Sequence, residues 1–464
     1  MASVIICGGS VVGLSAAMFL ARDGHEVTVL ERDPQPPVAA DQAWHGWSRG
    51  GVAQFRQPHL MLPPVRQILE AELPGMTARL TGAGCTWQDP AAVVPPTLTD
   101  WQRQPGDDAM AMVTGRRPVV ESVLAATALE QPGVTVRRGT GVTALLTGTP
   151  VRPGVPHVTG VRTSDGAELH ADLVVDATGR QTKLARWLDL IGGRPPYLES
   201  EDSGFVYYTR YFTGPQPPAQ RGPIAAPIGT FSVLTLAGDN GTWSVTLWAS
   251  SDDKALRPLR DAERFMAVAG ACPLQAHWLD GTPITDVLVM AGVLDQYRRF
   301  VVDGQPVATG VLAVGDAWAC TNPSAGRGIS VGLMHAQRLR DVVRASSGDP
   351  AGLAHDWDCA TEQDVTPFYR GQIAADRARI AEMTALRDGV APPAPDPVIG
   401  GWMAGAGQDS ALFRALLDFT LCLAHRDQIL DRPGFRERAA SFAGAAPGRL
   451  PGPDRAQLLQ LVGG

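Results

Sequence analysis

Residues 3–33 read SVIICGGSVVGLSAAMFLARDGHEVTVLERD and contain the pattern that decides the fold. The first five residues are largely apolar and β-branched, and a glycine follows them, as is typical of a buried parallel strand. A stretch with helical spacing comes next and stops at Gly24, where a glycine commonly ends a helix. The remaining residues predict a second buried strand ending in an acid. Strand, helix and strand in this order predict a βαβ unit.

The turn between the first strand and the helix reads GGSVVG. Gly8 permits the tight turn, and Gly13 lets the helix pack closely against the strand, while free N–H groups at the helix start bind a pyrophosphate. Ser10 replaces the middle glycine, so this dinucleotide fingerprint is imperfect. Glu31 lies 18 residues after Gly13, where an acid binds a ribose hydroxyl. Dinucleotide binding is therefore expected, and the predicted contacts of this unit are Gly8, Gly9, Ser10, Val12, Gly13, Glu31 and Arg32.

Two later segments repeat the pattern of a buried strand ending in an acid. Residues 173–175 run into Asp176-Ala177-Thr178-Gly179, and a strand beginning at Val311 runs into Gly315-Asp316. The alternative is that these are two unrelated strand-to-helix turns. The residues after Asp316 argue against that alternative, because a proline and three glycines follow at fixed spacing: Pro323, Gly326, Gly328 and Gly332.

That spacing resembles the Gly-Asp motif of the FAD-dependent monooxygenases with the p-hydroxybenzoate hydroxylase fold. The resemblance implies that Asp316 binds the ribityl chain and that the next helix directs its N-terminus at the flavin pyrimidine ring. It also implies that Gly326 and Gly328 let the backbone lie against the flavin. The cofactor contacts expected from these two segments are Asp176, Gly179, Gly315, Asp316, Pro323, Gly326, Arg327, Gly328 and Ile329.

Two further segments match the same family. Arg117-Pro-Val-Val-Glu121 resembles its Arg-x-x-Leu-Glu motif, in which the arginine contacts the cofactor, although the assignment can slip by one to Arg116. The alternative for Arg117 is a solvated arginine at a helix start. The segment from Ser48 resembles the Arg-x-Gly-Val-x-Gln segment of bacterial polyether epoxidases, which runs past the cofactor. Arg49, Gln54, Arg117 and Val142 complete the expected cofactor contacts.

The predicted fold class is α/β, with a discontinuous Rossmann-like FAD-binding domain, a β-sheet substrate domain and a C-terminal helical region. Residues 205–213 alternate two sets of side chains, and residues 229–250 predict a hairpin with its turn at Asp239-Asn240-Gly241. The expected divisions are 1–190 and 301–345 for the FAD domain, 191–300 for the sheet domain and 346–464 for the helices. The sheet would cover the flavin. Its candidate substrate contacts are Tyr207, Tyr208, Arg210 and Trp248.

Composition narrows the class of protein. The chain has 464 residues with a formal net charge of −7, which gives no reason to expect a nucleic-acid partner. Its six cysteines are scattered without a CxxC motif, which indicates free thiols in a reducing cytoplasm. Neither a signal peptide, nor a transmembrane segment, nor a metal site is expected. The partners expected are a small-molecule substrate and a possible flavin reductase, and the protein is expected to be a monomer or a homodimer.

The resemblance implies a monooxygenase that inserts one oxygen atom from O2, through a flavin C4a-hydroperoxide, into a small and largely apolar substrate. Asn322-Pro323-x-x-Gly326-x-Gly328 and Asp176-Ala-Thr-Gly-Arg180 resemble the forms found in polyether epoxidases, which favours epoxidation or hydroxylation in bacterial secondary metabolism. Aromatic hydroxylases that handle NADPH directly have an Asp-Gly form instead of Asp-Ala-Thr-Gly-Arg. Electrons are therefore expected from NAD(P)H either directly or, in better agreement with this motif, through a separate flavin reductase.

Other flavin chemistries remain as alternatives. A reductase or dehydrogenase of a prenyl or polyketide substrate shares the Asp-Ala-Thr-Gly strand end, and a redox-neutral cyclase would use FAD as a structural prop. Halogenation is disfavoured, because the chain has no lysine before Lys183, and Trp243 and Trp248 lie five residues apart without the Ile-Pro of the halogenase motif. His59 and His335 are possible polar groups near the flavin, although helix packing is the simpler role for His335. The sequence assigns no catalytic residue.

Overall fold

The computed structural model describes residues 1–346, 348–445 and 448–463. Its strands are β1 (Ser3–Cys7), β2 (Glu26–Glu31), β3 (Thr86–Gln88), β4 (Met112–Thr114), β5 (Val134–Arg138), β6 (Val142–Arg152), β7 (Val155–Thr163), β8 (Glu168–His170), β9 (Leu173–Asp176), β10 (Tyr197–Glu201), β11 (Phe205–Thr213), β12 (Ala225–Ile228), β13 (Phe231–Ala237), β14 (Thr242–Ser250), β15 (Thr282–Pro283), β16 (Leu288–Ala291), β17 (Asp295–Arg299), β18 (Val301–Val302), β19 (Gln305–Pro306), β20 (Val311–Ala313) and β21 (Ala319–Cys320). Its α-helices are α1 (Val11–Arg22), α2 (Ala43–Gly46), α3 (Pro63–Glu72), α4 (Met76–Gly82), α5 (Arg117–Glu130), α6 (Leu184–Leu190), α7 (Ala262–Gly270), α8 (Gly328–Ala345), α9 (Pro350–Asp364), α10 (Thr366–Arg387), α11 (Pro397–Gly405), α12 (Ser410–Thr420), α13 (Arg426–Leu430), α14 (Phe435–Ala440) and α15 (Arg455–Gly463).

A parallel sheet forms the centre of the first layer. Its strand order is β20-β9-β1-β2-β5, and β1 is flanked by β9 and β2. The inner strands are apolar because both of their faces are covered, one by helices that include α1 and α8 and the other by the antiparallel sheet of β6, β7 and β8 together with α6. The predicted strands near residues 3, 26, 173 and 311 are all present. The sequence did not predict β5, whose Thr and Arg residues alternate with valines at the edge of the sheet.

A mainly antiparallel sheet forms the second layer, in the order β12-β13-β14-β11-β15, with β16 also paired to β11. The predicted hairpin is present as β13 and β14, and its turn places Asn240 at φ 49° and Gly241 at φ 68°. Two consecutive positive φ angles are the signature of a type I′ turn. One face of this sheet packs on α7 and α15, so the C-terminal segment covers it.

Helices dominate the chain after β21, in agreement with the predicted C-terminal helical region. The longest of them, α10, packs across the second face of the antiparallel sheet. Within the described part of the chain, every helix is too short or too polar to cross a membrane. The domain divisions predicted from the sequence remain a proposal.

A buried ion pair joins the two layers. Arg116, which caps the start of α5, donates from its backbone N–H and from its guanidinium to Asp239, at distances of 2.6–2.9 Å. Asp239 is fully buried and lies at the tip of the β13–β14 hairpin. The pair therefore fixes the hairpin tip of the second layer against the helix that follows β4 in the first layer.

Replacing Asp239 with alanine is expected to lower the free energy of unfolding by about 3–5 kcal/mol, because Arg116 would be left buried without its partner. Urea unfolding followed by circular dichroism measures this change. Glu168→Ala is the matched control, since Glu168 pairs with Arg162 on the surface and its loss should cost about 1 kcal/mol or less. Equal effects of the two substitutions would contradict the assigned role of Asp239.

Candidate active site

The first turn of the parallel sheet has no room for side chains at two of its glycines. A Cβ on Gly8, which has φ +111°, would lie 2.4 Å from the carbonyl oxygen of Ala177. A Cβ on Gly13 would lie 2.0 Å from the carbonyl oxygen of Gly8. The turn after β1, the helix α1 and the end of β9 therefore meet backbone to backbone. The structure places these glycines in the geometry that the fingerprint predicts.

The N-termini of two helices meet at this edge of the sheet. Val12, in the first turn of α1, contacts Gly315 and Gly332, where added Cβ atoms would lie 3.1 and 2.5 Å from its methyl carbons. Among the described residues, no side chain caps α1 at Ser10 or α8 at Arg327. The first N–H groups of both helices thus lack intrahelical partners. Free N–H groups and two helix dipoles favour an anion or a partial negative charge at this position.

Arg117 lies directly beside the first turn. Its guanidinium donates to the Ser10 hydroxyl at 3.0 Å and to Nε2 of His59 at 3.0 Å. The other ring nitrogen of His59 lies 2.8 Å from the Gln57 carbonyl oxygen and carries the proton, because a carbonyl can only accept. Burial and the adjacent Arg117 lower the pKa of His59 to about 3, so the imidazole is neutral. The structure thus brings Arg117, and not Arg116, to the predicted pyrophosphate site.

Glu31 and Arg49 form the next part of the site. Glu31 accepts hydrogen bonds from the N–H of Gly9 at 2.9 Å and the N–H of Asp33 at 2.8 Å, and it pairs with Arg49. Arg49 also lies 3.2 Å from Glu121. Arg117 also lies 3.5 Å from Glu121, so two buried arginines balance two buried carboxylates, as the low dielectric of the interior requires. Glu31 and Arg49 both lie at the first turn, and a ribose contact from Glu31 remains a proposal.

The two acids at the strand ends differ in their surroundings. Asp176 accepts from the N–H and the hydroxyl of Thr178 at 2.9 and 2.6 Å and also binds the Thr182 hydroxyl, so it organises its own loop. Asp316 is half-buried, and its carboxylate has no hydrogen-bond partner among the described residues, since Arg298 donates only to its backbone carbonyl. Burial raises the pKa of Asp316, partly offset by Arg117. An unpaired carboxylate at this edge suits a ligand rich in hydroxyl groups, such as a ribityl chain.

Hydrogen bonds from other parts of the chain hold the loop before α8 in place. Asn322 accepts from the Tyr207 hydroxyl, donates to the Val293 carbonyl at 3.2 Å, and its backbone N–H donates to Asp295 at 2.5 Å. Pro323 then begins a one-turn helix that ends at Gly326. The loop therefore has a fixed shape before any ligand binds.

The two glycines of this loop play different roles. Gly326 has φ +64°, and a Cβ there would lie 2.8 Å from Leu60, so the protein itself requires glycine. Gly328 is exposed, and a Cβ on it would meet no described atom within 4 Å. Packing against Leu60 therefore requires glycine at position 326 whether or not FAD is bound, and the flavin contact of Gly326 stays a prediction. Gly328, at the N-terminus of α8, borders open space that a cofactor can fill.

The remaining residues that were predicted to contact the cofactor differ in their burial and in the elements that carry them. Arg327 is buried and donates to the Phe419 carbonyl at 2.7 Å, which directs it towards the C-terminal helices. Ile329 packs in the core, and Gly179 lies in the loop after β9 with φ +81°. Arg32 is exposed, Gln54 is half-buried, and Val142 begins β6 in a separate three-stranded sheet. Gly141, just before Val142, lies beside Arg32, and Arg327 directly precedes α8. The cofactor contacts of Val142 and Arg327 stay predictions.

The four candidate substrate residues do not share one face. Tyr207 is opposite Trp248 in the β11–β14 pairing, and both side chains pack with Met383 of α10 on the face that carries the Asn322 contact. Tyr208 packs on the other face. Arg210 comes two residues after Tyr208 in β11 and therefore shares its face. Its guanidinium donates to the Thr285 carbonyl oxygen at 3.1 Å. Side chains alternate along a strand, so Tyr208 and Arg210 lie on the face opposite to Tyr207, and one pocket on either face would contact only part of the predicted set.

Sequence reasoning missed a polar group on α10. Asp376 binds the Ser324 hydroxyl of the loop before α8, and Gln372 donates to Asp376 at 2.9 Å. The one signal was a carboxylate on the face of α10 that also carries Ile380 and Met383. His335, considered as a flavin contact, stacks on Trp357 and accepts from the N–H of Gly315, and its pKa is lowered to about 3 by burial. Helix packing is its role in the structure.

Comparison with known proteins agrees with this geometry. A family model described as FAD dependent oxidoreductase matches residues 3–107. "Protein Rv3254" of Mycobacterium tuberculosis is 25% identical over 398 residues, which covers 79% of this chain and 78% of that protein. The matched family segment contains the first turn, Glu31 and Arg49.

Solved structures show the same architecture. PqsL of Pseudomonas aeruginosa, described as a probable FAD-dependent monooxygenase, is 17% identical with a TM-score of 0.62 over 83% of this chain and 97% of that one. The chain has the fold of the FAD-dependent monooxygenases. OxyS anhydrotetracycline hydroxylase of Streptomyces rimosus is 17% identical with a TM-score of 0.56, covering 92% of this chain and 76% of that one. The myxobacterial halogenase CndH is 18% identical, with a TM-score of 0.59 over 95% of both chains.

The solved structures confirm the predicted α/β fold, and the family match over residues 3–107 supports the prediction of an FAD-dependent oxidoreductase. They do not choose between oxygenation and halogenation, because a halogenase shares the fold. The choice depends on the residues of the site.

Replacing Asp316 with alanine should weaken FAD binding roughly 10- to 150-fold, because a charge-assisted hydrogen bond to the ribityl chain contributes about 1.5–3 kcal/mol. Fluorescence titration of the apoprotein with FAD measures the dissociation constant. Asp189→Ala, which changes an exposed acid on α6, is the control and should leave affinity unchanged. Unchanged affinity in Asp316→Ala would place the ribityl chain elsewhere.

Substitution of the two loop glycines, Gly326 and Gly328, is expected to have different effects. Gly328→Val should leave the melting temperature near that of the wild type but abolish FAD binding or shift the visible spectrum, because its side chain would enter only the open space. Gly326→Val should lower the free energy of unfolding by about 1–3 kcal/mol even without FAD, because of its positive φ. Calorimetry of the apoprotein and absorption spectra of the loaded protein separate the two effects. A Gly328→Val variant with normal spectrum and affinity contradicts the assignment.

Proposed function

We propose that the protein is an FAD-dependent monooxygenase that inserts one oxygen atom from O2 into a small, largely apolar substrate, by epoxidation or hydroxylation, in bacterial secondary metabolism. The observation that carries the proposal is the unpaired carboxylate of Asp316 beside two uncapped helix N-termini. FAD presents a hydroxyl-rich ribityl chain, a pyrophosphate and a ring system that gains negative charge on reduction. Each of these features matches one element of the site.

The chain's own residues would bind four groups of FAD. Arg117 and the N–H groups at the start of α1 would hold the pyrophosphate, and Glu31 the ribose. Asp316 would accept hydrogen bonds from the ribityl hydroxyls. The N-terminus of α8 would stabilise negative charge on the flavin ring through its dipole. Bound FAD, once reduced, supplies the capacity to activate O2.

The substrate would lie between the loop before α8 and the face of the antiparallel sheet that carries Tyr207 and Trp248. That face packs with Phe205 and Met383, so its lining is apolar and excludes water. Exclusion of water protects a reactive oxygen species from hydrolysis and side reactions. An apolar lining beside the cofactor loop supports oxygen transfer to an apolar molecule more than chemistry that needs acid and base groups.

Electron delivery is expected to depend on a separate flavin reductase, since the Asp176-Ala-Thr-Gly-Arg180 segment departs from the Asp-Gly form of enzymes that use NADPH directly. NADPH alone should reduce the bound FAD slowly or not at all. Stopped-flow absorbance under anaerobic conditions measures the rate, with an added NAD(P)H–flavin reductase as the positive control. Rapid bleaching by NADPH that a substrate accelerates would favour an aromatic hydroxylase.

Oxygen uptake separates the proposed activity from the alternatives. The loaded protein, with a flavin reductase and NADH under air, should consume O2 in step with a product that is one oxygen atom heavier than the polyketide, terpenoid or aromatic substrate tested. Mass spectrometry with 18O2 identifies the source of the oxygen. A product that lacks 18O but contains added hydrogen would indicate a reductase. A product that is an isomer of the substrate would indicate a cyclase, and a product that forms only when halide is present would indicate a halogenase. Each of those results overturns the proposal.

A further inference from the structure

One face of α10 carries two polar and two apolar side chains in succession. Gln372, Asp376, Ile380 and Met383 are spaced by four, four and three residues, which places them on one side of the helix. Met383 and Ile380 pack with Trp248 on the antiparallel sheet. The face therefore runs from the sheet lining of the proposed substrate site to the loop before α8.

The polar end of this face contacts the cofactor loop. One oxygen of Asp376 accepts from the Ser324 hydroxyl and from Nε2 of Gln372 at 2.9 Å, and the same Nε2 lies 2.7 Å from the Ser324 hydroxyl. Ser324 lies in the turn between Asn322 and Gly326. A ligand beside this polar end would thus lie next to the segment proposed to contact the flavin.

Two acceptors of this group have no donor. Asp376 and Gln372 are each 3% exposed. The second carboxylate oxygen of Asp376 and the amide oxygen of Gln372 are buried and lack a hydrogen-bond partner among the residues that the structure describes. Buried polar atoms are normally paired, because burial without a partner loses the hydrogen bonds of water. Two unpaired acceptors one helical turn apart indicate a missing donor.

The charge of the group depends on its surroundings. Burial raises the pKa of Asp376 to about 7, and the bonds from Ser324 and Gln372 offset part of that increase. Asp295 on β17 raises the pKa further, whereas Arg327 in the loop lowers it. Above neutral pH the group is a carboxylate that accepts hydrogen bonds on both oxygens. The nearby Arg327 guanidinium makes the position less suitable for a cationic ligand than for a neutral one.

We propose that Asp376 and Gln372 form a subsite whose two acceptors share the single hydrogen-bond donor of a hydroxyl group on an otherwise apolar substrate. Its apolar part would rest against Trp248 and Met383. This inference rests on the proposed function, because it places the subsite in the substrate space of that enzyme, and it defines the substrate class further. The hydroxyl would anchor one end of the molecule and leave the other end to face the cofactor.

The test compares benzyl alcohol with benzyl methyl ether, which has a similar shape but no donor. Ligand-observed NMR titration of the FAD-loaded full chain, at about pH 8.5 so that Asp376 is ionised, measures both dissociation constants. We expect the alcohol to bind roughly 10-fold more tightly than the ether in the wild type. Asp376→Asn, which keeps the shape but replaces one acceptor with a donor, should bring the ratio close to one. Gln372→Met should reduce it several-fold.

Glu382→Gln is the matched control, since it neutralises a partly exposed acid on the same helix and should keep the wild-type ratio. Equal binding of alcohol and ether by the wild type overturns the subsite, as does a ratio that survives both variants. Tighter binding of benzylamine than of benzyl alcohol overturns the assignment of the subsite to a neutral hydroxyl.

FAD content and O2 uptake are measured on the same preparations. A protein that prefers the alcohol but consumes no O2 contradicts the proposed function alone, and an oxygen-consuming protein without the preference contradicts the subsite alone.

Discussion

The close approach of backbone segments at the carboxyl edge of the parallel sheet is the constraint on which the rest of the site depends. The carbonyl oxygens of Gly8 and Ala177 occupy the volume that side chains on Gly13 and Gly8 would need. Any larger residue would separate α1 from the sheet and move its free N–H groups. The contact of Val12 with Gly315 and Gly332 extends the constraint to α8. Two helix N-termini can meet at one place only because these positions lack side chains.

Most of the charged side chains around this edge lie beside a side chain of opposite charge. Arg49 lies between Glu31 and Glu121, and Arg117 connects the first turn to a neutral His59. Buried charges are tolerated only when paired, so each member of the group restricts its neighbours. Asp316 is only half-buried, and its carboxylate lacks a hydrogen-bond partner among the described residues. In the proposed function, this carboxylate accepts hydrogen bonds from the cofactor.

The loop before α8 connects the cofactor site to the other two parts of the chain. Tyr207 of the antiparallel sheet and Asp295 of β17 hold Asn322, while Asp376 of α10 holds Ser324. A substrate that moved the sheet face or α10 would therefore act on the loop through hydrogen bonds. The Arg116–Asp239 pair provides a second connection, because it fixes the hairpin tip beside the residue that precedes Arg117. The geometry of the cofactor site thus depends on contacts from all layers.

The sequence by itself determined the βαβ unit, the three strand ends and the hairpin, because local spacing of apolar residues and glycines encodes them. It also predicted cofactor contacts from Asp316 and Arg117, because both stand at positions that resemble family motifs next to those elements. Only the tertiary structure decided that Tyr208 and Arg210 face away from Tyr207, that Asp176 is already bonded within its own loop, and that Gly326 serves the protein's own packing. It alone brought Asp376 to Ser324, 52 residues apart in the chain. Such contacts depend on how separate elements pack, and no local pattern records which buried atoms lack a partner.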